Sequence, residues 1–447
     1  MPFDAIRMGS SAAGTYEIER SLRFNNADNV SLTRTVSSST AGTKATLSFW
    51  FKVSNLHNAN NGGNFFSRGN TSYVQFYQER LYFGNSSYWV DTAGVFRDFS
   101  AWYHVTVVID TTQGTAANRQ KIYVNGVLQA RGSLVQDPAQ DASYEFLNGA
   151  EDYIIGKRTS NDMNYMGYMA EIHFADGQAL DPTSFGKTDP DTGQWIPKRY
   201  GGSYGTNGFY LNFSDNSNTT ATTLGKDSSG NGNNWTPNNF SVAAGTGNDS
   251  LEDTPTNNFC TLNPLVKPYG TNTFSQGALH VDPSNDWNLV EGTFVVKSGK
   301  WYWESQAGGT INPYSHIMFG IVSHGSFRQN IQNPQAQSGT IFYYDGTGQK
   351  RINNAYTTYG DSYNATGDVI GTALDMDART VTFYKNGTSQ GAIDIDLAND
   401  DFLEVSPGCS VINATTATFN FGQRPFAHSA PANHNTLCTA NIPEPTI

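Results

Sequence analysis

Residues 367–387 read GDVIGTALDMDARTVTFYKNG. Ile370, Thr372, Leu374 and Met376 alternate with Val369, Gly371, Ala373 and Asp375, and both sets are largely apolar. A strand apolar on both faces belongs inside a sheet that is covered above and below. Asp375-Met376-Asp377-Ala378 forms a tight polar turn, after which Val381 and Phe383 point one way and Thr380, Thr382 and Tyr384 the other. Asn386-Gly387 ends the run. Asn-Gly is the strongest short hairpin signal, because both turn positions must accept φ > 0. The stretch is therefore expected to form a β-hairpin.

The same plan occurs earlier. Trp102 to Asp110 is an apolar strand ending in an acid, a polar turn follows, and Lys121-Ile122-Tyr123-Val124 runs into Asn125-Gly126. Two copies of strand, Asp, turn, aromatic-bearing strand and Asn-Gly imply two β-domains of similar architecture. The 447 residues have room for both. Aromatics at 13%, charged residues at only 15% and 44 glycines suit β-sandwiches joined by many turns, and no long stretch carries a helical period. The expected fold is all-β, with two tandem antiparallel β-sandwiches of jelly-roll type.

Charge and cysteine content narrow the function classes. The net charge is −12, from 27 basic and 39 acidic residues, with no Lys/Arg cluster. Nucleic acid and anionic membrane surfaces both require a cationic face, so neither is an expected partner. No run is long and apolar enough for membrane insertion. Cys260, Cys409 and Cys438 are too few and too scattered for a disulfide framework and read as small buried hydrophobes. Met1 to Ser10 has no apolar core of signal-peptide length, so the chain is read as made in the cytoplasm without an export address.

In chain order, residues 1–17 are small and polar and read as an N-terminal docking arm. Residues 18–240 form the first sandwich, 241–257 (SVAAGTGNDSLEDTPTN) a linker, and 258–447 the second. In the first, Ser21-Leu22-Arg23-Phe24, Ala45 to Lys52, Trp102-Tyr103-His104-Val105, Ile122 to Gly126, Tyr153-Ile154-Ile155-Gly156 and Gly167 to Ile172 occur in the order of the laminin-G-like, concanavalin-type sandwich, which this region resembles over roughly residues 18–180. The resemblance implies a two-sheet jelly roll used to bind glycans or proteins, sometimes with calcium. His173 to Pro182 and Asp191 to Lys198 resemble segments of virion fibre proteins from phages of marine bacteria. In the second, Gly299 to Glu304, His316 to Ile321 and Ala417 to Phe426 resemble a SPRY domain over about residues 290–427. That family binds peptides or proteins through variable loops. Asn258 to Pro264 and Thr436 to Pro443 echo one another and are expected to pair as closing strands.

Chemistry is sparse. Glycoside hydrolases on concanavalin-type folds need two carboxylates about 5–10 Å apart. No E-x-D-x-x-E pattern exists, and Glu17 and Glu19 are the sole i, i+2 glutamate pair. His104 lies in an apolar strand without a nucleophile motif and reads as a core or interface histidine. No catalytic residue is assigned, and the chain is read as non-enzymatic. Asp227, Asn231 and Asn233 alternate oxygen ligands through a Gly-bearing turn and make calcium a candidate; an Asx-turn loop bonding its own backbone explains the same residues.

Recognition remains. Tyr88 and Trp89 in the first domain, and Tyr343, Tyr344, Asp345, Arg351, Tyr356, Tyr359 and Tyr363 in the second, fall in Gly/Asn-rich connections. Tyrosine there offers rigid amphipathic contact area at low entropy cost, or caps the sandwich ends. The expectation is a structural protein on the virion exterior of a tailed phage, a homo-oligomeric fibre that contacts other virion proteins and recognises host cell-surface glycan or protein. The alternatives are a capsid or tail decoration protein without a receptor role, and a polysaccharide-degrading glycoside hydrolase.

Overall fold

The structure is a computed structural model. It describes residues 16–442 except 41, 56–62, 70, 145, 147–148, 159–162, 267–271, 284–286, 310–315, 325–338, 364–365, 399–402 and 413. Most of the docking arm expected at residues 1–17 lies outside the described residues. No helix among them is long and apolar enough to cross a membrane.

The strands of the first unit are β1 (Ser21–Phe24), β2 (Ser31–Thr35), β3 (Lys44–Val53), β4 (Gly63–Arg68), β5 (Ser72–Tyr77), β6 (Arg80–Asn85), β7 (Trp89–Thr92), β8 (Tyr103–Asp110), β9 (Gln120–Val124), β10 (Val127–Leu128), β11 (Arg131–Gln136), β12 (Asp152–Ile155), β13 (Gly167–Asp176), β14 (Gly186–Thr188), β15 (Trp195–Pro197), β16 (Phe209–Leu211), β17 (Thr236–Asn238) and β18 (Ser250–Leu251). One sheet runs β10-β9-β8-β3-β13-β1-β18, with β16 also on β13; the other runs β11-β7-β6-β5-β4-β12-β2-β17. All their pairings are antiparallel. Leu47, Phe49 and Phe51 of β3 face Phe65, Phe66 and Phe83 across the core, so one face of each sheet is apolar throughout.

The second unit holds β19 (Asn272–Ser275), β20 (His280–Pro283), β21 (Asn288–Glu291), β22 (Lys300–Gly309), β23 (Ile317–Ser323), β24 (Thr340–Tyr344), β25 (Gln349–Ile352), β26 (Ala355–Thr358), β27 (Val369–Asp375), β28 (Thr380–Lys385), β29 (Thr388–Asp394), β30 (Val405–Val411) and β31 (Thr415–Asn420). Its sheets run β19-β20-β31-β22-β27-β28-β29 and β21-β30-β23-β24-β25-β26. Trp301, Trp303, Phe319, Phe383 and Phe419 fill the core between them.

Both hairpins form where the sequence puts them, as β8–β9 and β27–β28. The Asn-Gly turns that end their second strands lead into one more antiparallel strand each, β10 and β29, and match in detail. Asn125 and Gly126 have φ of 48° and 77°; Asn386 and Gly387 have 48° and 82°. Each Asn side chain accepts a hydrogen bond from the opposite strand, Asn125 Oδ1 from the His104 amide at 2.8 Å and Asn386 Oδ1 from the Val369 amide at 2.9 Å. At the other end, each strand-terminal Asp pairs with a Lys opening the neighbouring strand, Asp110 with Lys44 at 3.8 Å and Asp375 with Lys300 at 2.7 Å.

Phe259 bridges Cys438, and the Cys260 amide donates to the Leu437 carbonyl at 2.9 Å, so the echoing flanks do pair. All three cysteines are buried and none is in a disulfide.

The stretch 241–257 is not a free connector. Residues 250–251 add β18 to β1. Arg23 pairs with Asp249 at 2.9 Å and Lys52 with Asp253 at 2.9 Å, all four side chains being at most 2% exposed. Trp102 Nε1 donates to the second Asp253 oxygen at 3.0 Å. Asp249 and Asp253 answer buried charges, whereas residues 243–245 and 247 of the same stretch are exposed.

Candidate functional site

Each unit seals the outer face of its hairpin sheet with chain that follows the sandwich. In the first, the covered face of β3, β8 and β13 carries Ser48, Trp50, Lys52, His104, Glu171 and His173. Trp195 from β15 lies over it. Its indole N–H, which can only donate, is 3.0 Å from His104 Nδ1. His104 must therefore accept at Nδ1 and carry its proton on Nε2, which it donates to Ser48 Oγ at 2.7 Å. A histidine in that tautomer cannot deprotonate the serine, so the pair is no Ser–His nucleophile. Burial, and then His173, pushes His104 down to about 3.

Sequence reading missed Glu171. It sits at a bulge in β13 with φ of 50° and is 3% exposed. Tyr16 and Tyr210 donate to its Oε2 and Oε1 at 2.6 and 2.7 Å, and His173 Nε2 lies 3.4 Å from Oε2. Burial and the adjacent carboxyl push both hydroxyls up. Nothing in the local sequence announces this cluster, because its members are up to 194 residues apart. Glu17 and Glu19 are exposed.

The Asp227 loop comes together as a hydrogen-bonded turn. Asp227 Oδ1 accepts from the amides of Tyr210 and Ser229, and Oδ2 from Ser229 Oγ and the Asn233 amide, all at 2.8–2.9 Å. The Asn231 and Asn233 side chains turn their NH2 groups to the Gly208 carbonyl, at 2.9 and 2.8 Å. With the carboxylate spent on four donors and both amides presenting nitrogen, this is the Asx-loop arrangement rather than a calcium ligand set. Among the described residues no group of three or more His, Cys, Asp or Glu side chains could hold a metal.

The aromatic residues singled out by sequence separate into three groups. Tyr88 and Trp89 are half-buried in the first unit, Tyr88 with its ring 5.7 Å from buried Tyr144. In the second unit, Tyr343 and Tyr363 face the core, 4.8 Å apart between ring centres. The Tyr363 hydroxyl donates to the Tyr343 carbonyl at 2.6 Å. Tyr359 is tied to the same side, its hydroxyl bonded to the Gly391 carbonyl and its ring edge-on to Tyr343. These three are packing residues, not ligand contacts. Strand alternation is the reason: Tyr343 shares the inward face with Ile341, whereas Tyr344 shares the outward face with Phe342.

The outward group forms a ladder on the β21–β26 sheet. Trp287 stacks on His316 (6.3 Å, 5°), His316 contacts Tyr344 (4.9 Å), and Tyr344 meets Tyr356 edge-on (5.7 Å). Beneath Tyr356 the Arg351 guanidinium lies 4.6 Å from the ring centre, a cation–π contact, and donates to Asn354 Oδ1 at 2.8 Å. Asp345 is fully buried and holds the ladder from below. One oxygen takes His316 Nδ1 at 3.0 Å, the other the Ile317 amide at 2.9 Å. Burial pushes this carboxyl up, and the backbone N–H groups and His316 oppose it. Tyr356 is 44% exposed, and Trp287, His316 and Tyr344 are half-buried. Four of the expected residues therefore meet in one place, with Asp345 and Arg351 as supports and Tyr344 and Tyr356 as surface. Trp287 and His316 join them because Asn288 of β21 and Ile317 of β23 both register on Val411 of the intervening β30, and β23 pairs with β24 at Met318–Tyr344.

Family models match both units. Residues 24–184 match the concanavalin A-like lectin/glucanases superfamily, and residues 300–424 match the SPRY domain. The chain carries a laminin-G-like sandwich followed by a SPRY sandwich. Among curated proteins it is similar to the ATP-dependent RNA helicase Ddx1 of Drosophila melanogaster, 29% identical over 187 residues, 38% of this chain and 23% of that protein. A probable ATP-dependent RNA helicase ddx1 of Dictyostelium discoideum is 30% identical over 145 residues, 32% of this chain and 17% of that protein. The chain thus spans less than a quarter of the length of these relatives. Among solved structures, the SPRY domain of human HERC1 is 20% identical (TM-score 0.28, 33% of this chain and 91% of that one). Stonustoxin is 19% identical (TM-score 0.29, 36% and 27%).

Proposed function

We propose that the protein is a non-catalytic recognition protein whose SPRY unit grips a host-surface glycan on the Trp287–His316–Tyr344–Tyr356 ladder, and that it serves on the exterior of a tailed-phage virion as an oligomeric fibre. The single observation carrying the recognition reading is that ladder: adjoining rings, partly open, on a rigid sheet and braced underneath by a buried Asp345 and Arg351. Sugar rings present flat C–H faces that pack on such aromatic surfaces, and pre-braced rings lose little entropy on binding. A net charge of −12 gives no steering toward an anionic envelope, so avidity from several copies supplies the strength.

The test is binding of the purified chain to intact host cells and, separately, to virion particles lacking it. Cell binding competed by soluble surface glycan, and weakened about ten-fold (~1.4 kcal/mol) by Tyr356→Ala, supports the reading. Binding to particles alone, unchanged by Tyr356→Ala, replaces it with a decoration role. Release of reducing sugar from host polysaccharide replaces it with a hydrolase.

A further inference from the structure

A second feature lies in the laminin-G-like unit and does not depend on the ladder. The end of β2, the start of β12, β17 and the loops at 206–207 and 232–234 enclose a half-open groove of about 730 Å³. That volume falls within the range of small-ligand sites, roughly 300–1,000 Å³. Its lining is mainly hydroxyl and amide groups, with Thr35, Asn207, Asn233 and Thr236 among them, and it holds one cation, Arg34, and one acid, Asp152.

Arg34 is the informative residue. Nη1 donates to the Asn207 carbonyl at 2.9 Å, and among the described residues the guanidinium has no other hydrogen bond and no carboxylate partner. Asn207 is itself clamped, its amide N–H on Asp176 Oδ2 at 3.0 Å and its side chain on the Ser38 carbonyl at 3.0 Å. The fork is therefore aimed by a rigid neighbour and keeps unused N–H donors on the groove. Burial lowers this guanidinium from its ordinary value, and the more distant Asp227 and Asp176 oppose that. A half-buried guanidinium without a counter-ion fits a carboxylate that can be gripped by two parallel N–H bonds. Asp152 accepts Thr35 Oγ1 at 2.6 Å. It repels an acid placed next to it and accepts hydroxyl groups, so it orients the ligand along the groove.

We propose that this groove binds a uronic acid saccharide, with its carboxylate on Arg34 and its hydroxyls on the Thr, Asn and Asp152 groups of the walls. A peptide carboxylate satisfies Arg34 equally well but leaves the hydroxyl-reading walls unused.

The test is titration calorimetry of the full chain carrying Tyr356→Ala, which keeps the SPRY ladder out of the measurement. The probes are the trimers of galacturonate and guluronate, each as the free acid and as the methyl ester. The ester retains every hydroxyl and removes only the charge. At least one acid should bind ten-fold or more tighter than its ester. Arg34→Lys, which keeps the charge and loses the fork, should bring acid and ester within about three-fold. Thr236→Trp, on an exposed position of β17, should fill the groove and abolish binding while leaving the melting temperature in place. Equal binding of acid and ester overturns the proposal. So does undiminished affinity in both variants, failure of both acids to bind at millimolar concentration, or binding of an N-acetylated dipeptide in preference to either trimer.

Discussion

The two hairpin sheets share a turn, an Asn cap and an end ion pair, yet they are sealed by different chemistry. In the laminin-G-like unit the cover brings Asp249 and Asp253 down onto Arg23 and Lys52, and Trp195 onto His104. In the SPRY unit the cover meets the buried Glu304 with backbone, the amides of Ala427 and His428 donating to its two oxygens at 2.7 and 2.8 Å, and sets Phe426 edge-on to Tyr302. Even the Asn-Gly turns follow this split. A Cβ at Gly126 would fall 2.4 Å from the Trp195 ring, whereas one at Gly387 would fall 3.0 Å from His428 Nδ1. The lesson is that one hairpin plan tolerates a seal of buried ion pairs or one of backbone amides on a carboxylate, and that in both units the proposed ligand surface is on the opposite sheet.

The sharpest way to break the comparison is to remove one buried charge. Asp253→Ala removes the carboxylate from the buried Lys52, whose Nζ keeps the Asn258 Oδ1 bond at 2.7 Å, and should destabilise the first unit by about 3–5 kcal/mol, read by calorimetry as a lowered first-unit transition with the SPRY transition unmoved. A loss under ~1 kcal/mol would mean that the seal is not ionic in effect.

Next come opposite pH slopes. His104 is 1% exposed and held near 3, so the folded first unit favours neutral imidazole. Its contribution is present above the ordinary histidine value and is lost as pH falls from about 6.5 toward 3, a change on the order of a few kcal/mol. In the SPRY unit Glu291 is 4% exposed, its Oε1 has no hydrogen-bond partner among the described residues, and burial pushes it up to about 8. That contribution is complete below the ordinary carboxyl range and is lost as pH rises toward 8. Melting curves from pH 4 to pH 9 should show His104→Gln flattening the acid limb of one transition and Glu291→Gln the alkaline limb of the other; slopes unaltered by both substitutions would refute the assignment.

The ladder sharpens the contrast at smaller scale. Tyr359→Ala should cost stability and leave ligand affinity unchanged, whereas Tyr356→Ala should cost affinity and move the SPRY melting temperature by less than about 2 °C. The smallest effect concerns the Asp227 loop. Because its carboxylate already accepts four hydrogen bonds, EDTA should shift the first-unit transition by less than about 1 °C, and a calcium-dependent rise of several degrees would contradict that loop chemistry.

What could be read in the sequence was local. Asn125-Gly126 and Asn386-Gly387 specify their turns within a few residues, and the apolar alternation around them specifies the strands. The polar stretch 241–257 misled because Arg23 and Lys52, which it neutralises, lie more than 200 residues away. Tyr343 and Tyr344 could not be sorted by pattern, since both faces of β24 are apolar and Phe342 on the outward face is as buried as Tyr343 on the inward one. Trp287, Arg34 and Glu171 gain their meaning from sheet order alone.

The docking of Tyr16 has a mechanical consequence. From there the chain runs into β1, which is flanked by β13 on one side and β18 on the other. A pull on residues upstream of Tyr16 first meets its hydroxyl contact with Glu171 and the Ile18–Thr256 hydrogen bonds, and then loads β1 along its length between two strands. Bonds loaded side by side share the force instead of opening in turn, so a tether on this end of the molecule would be held in shear rather than peeled away.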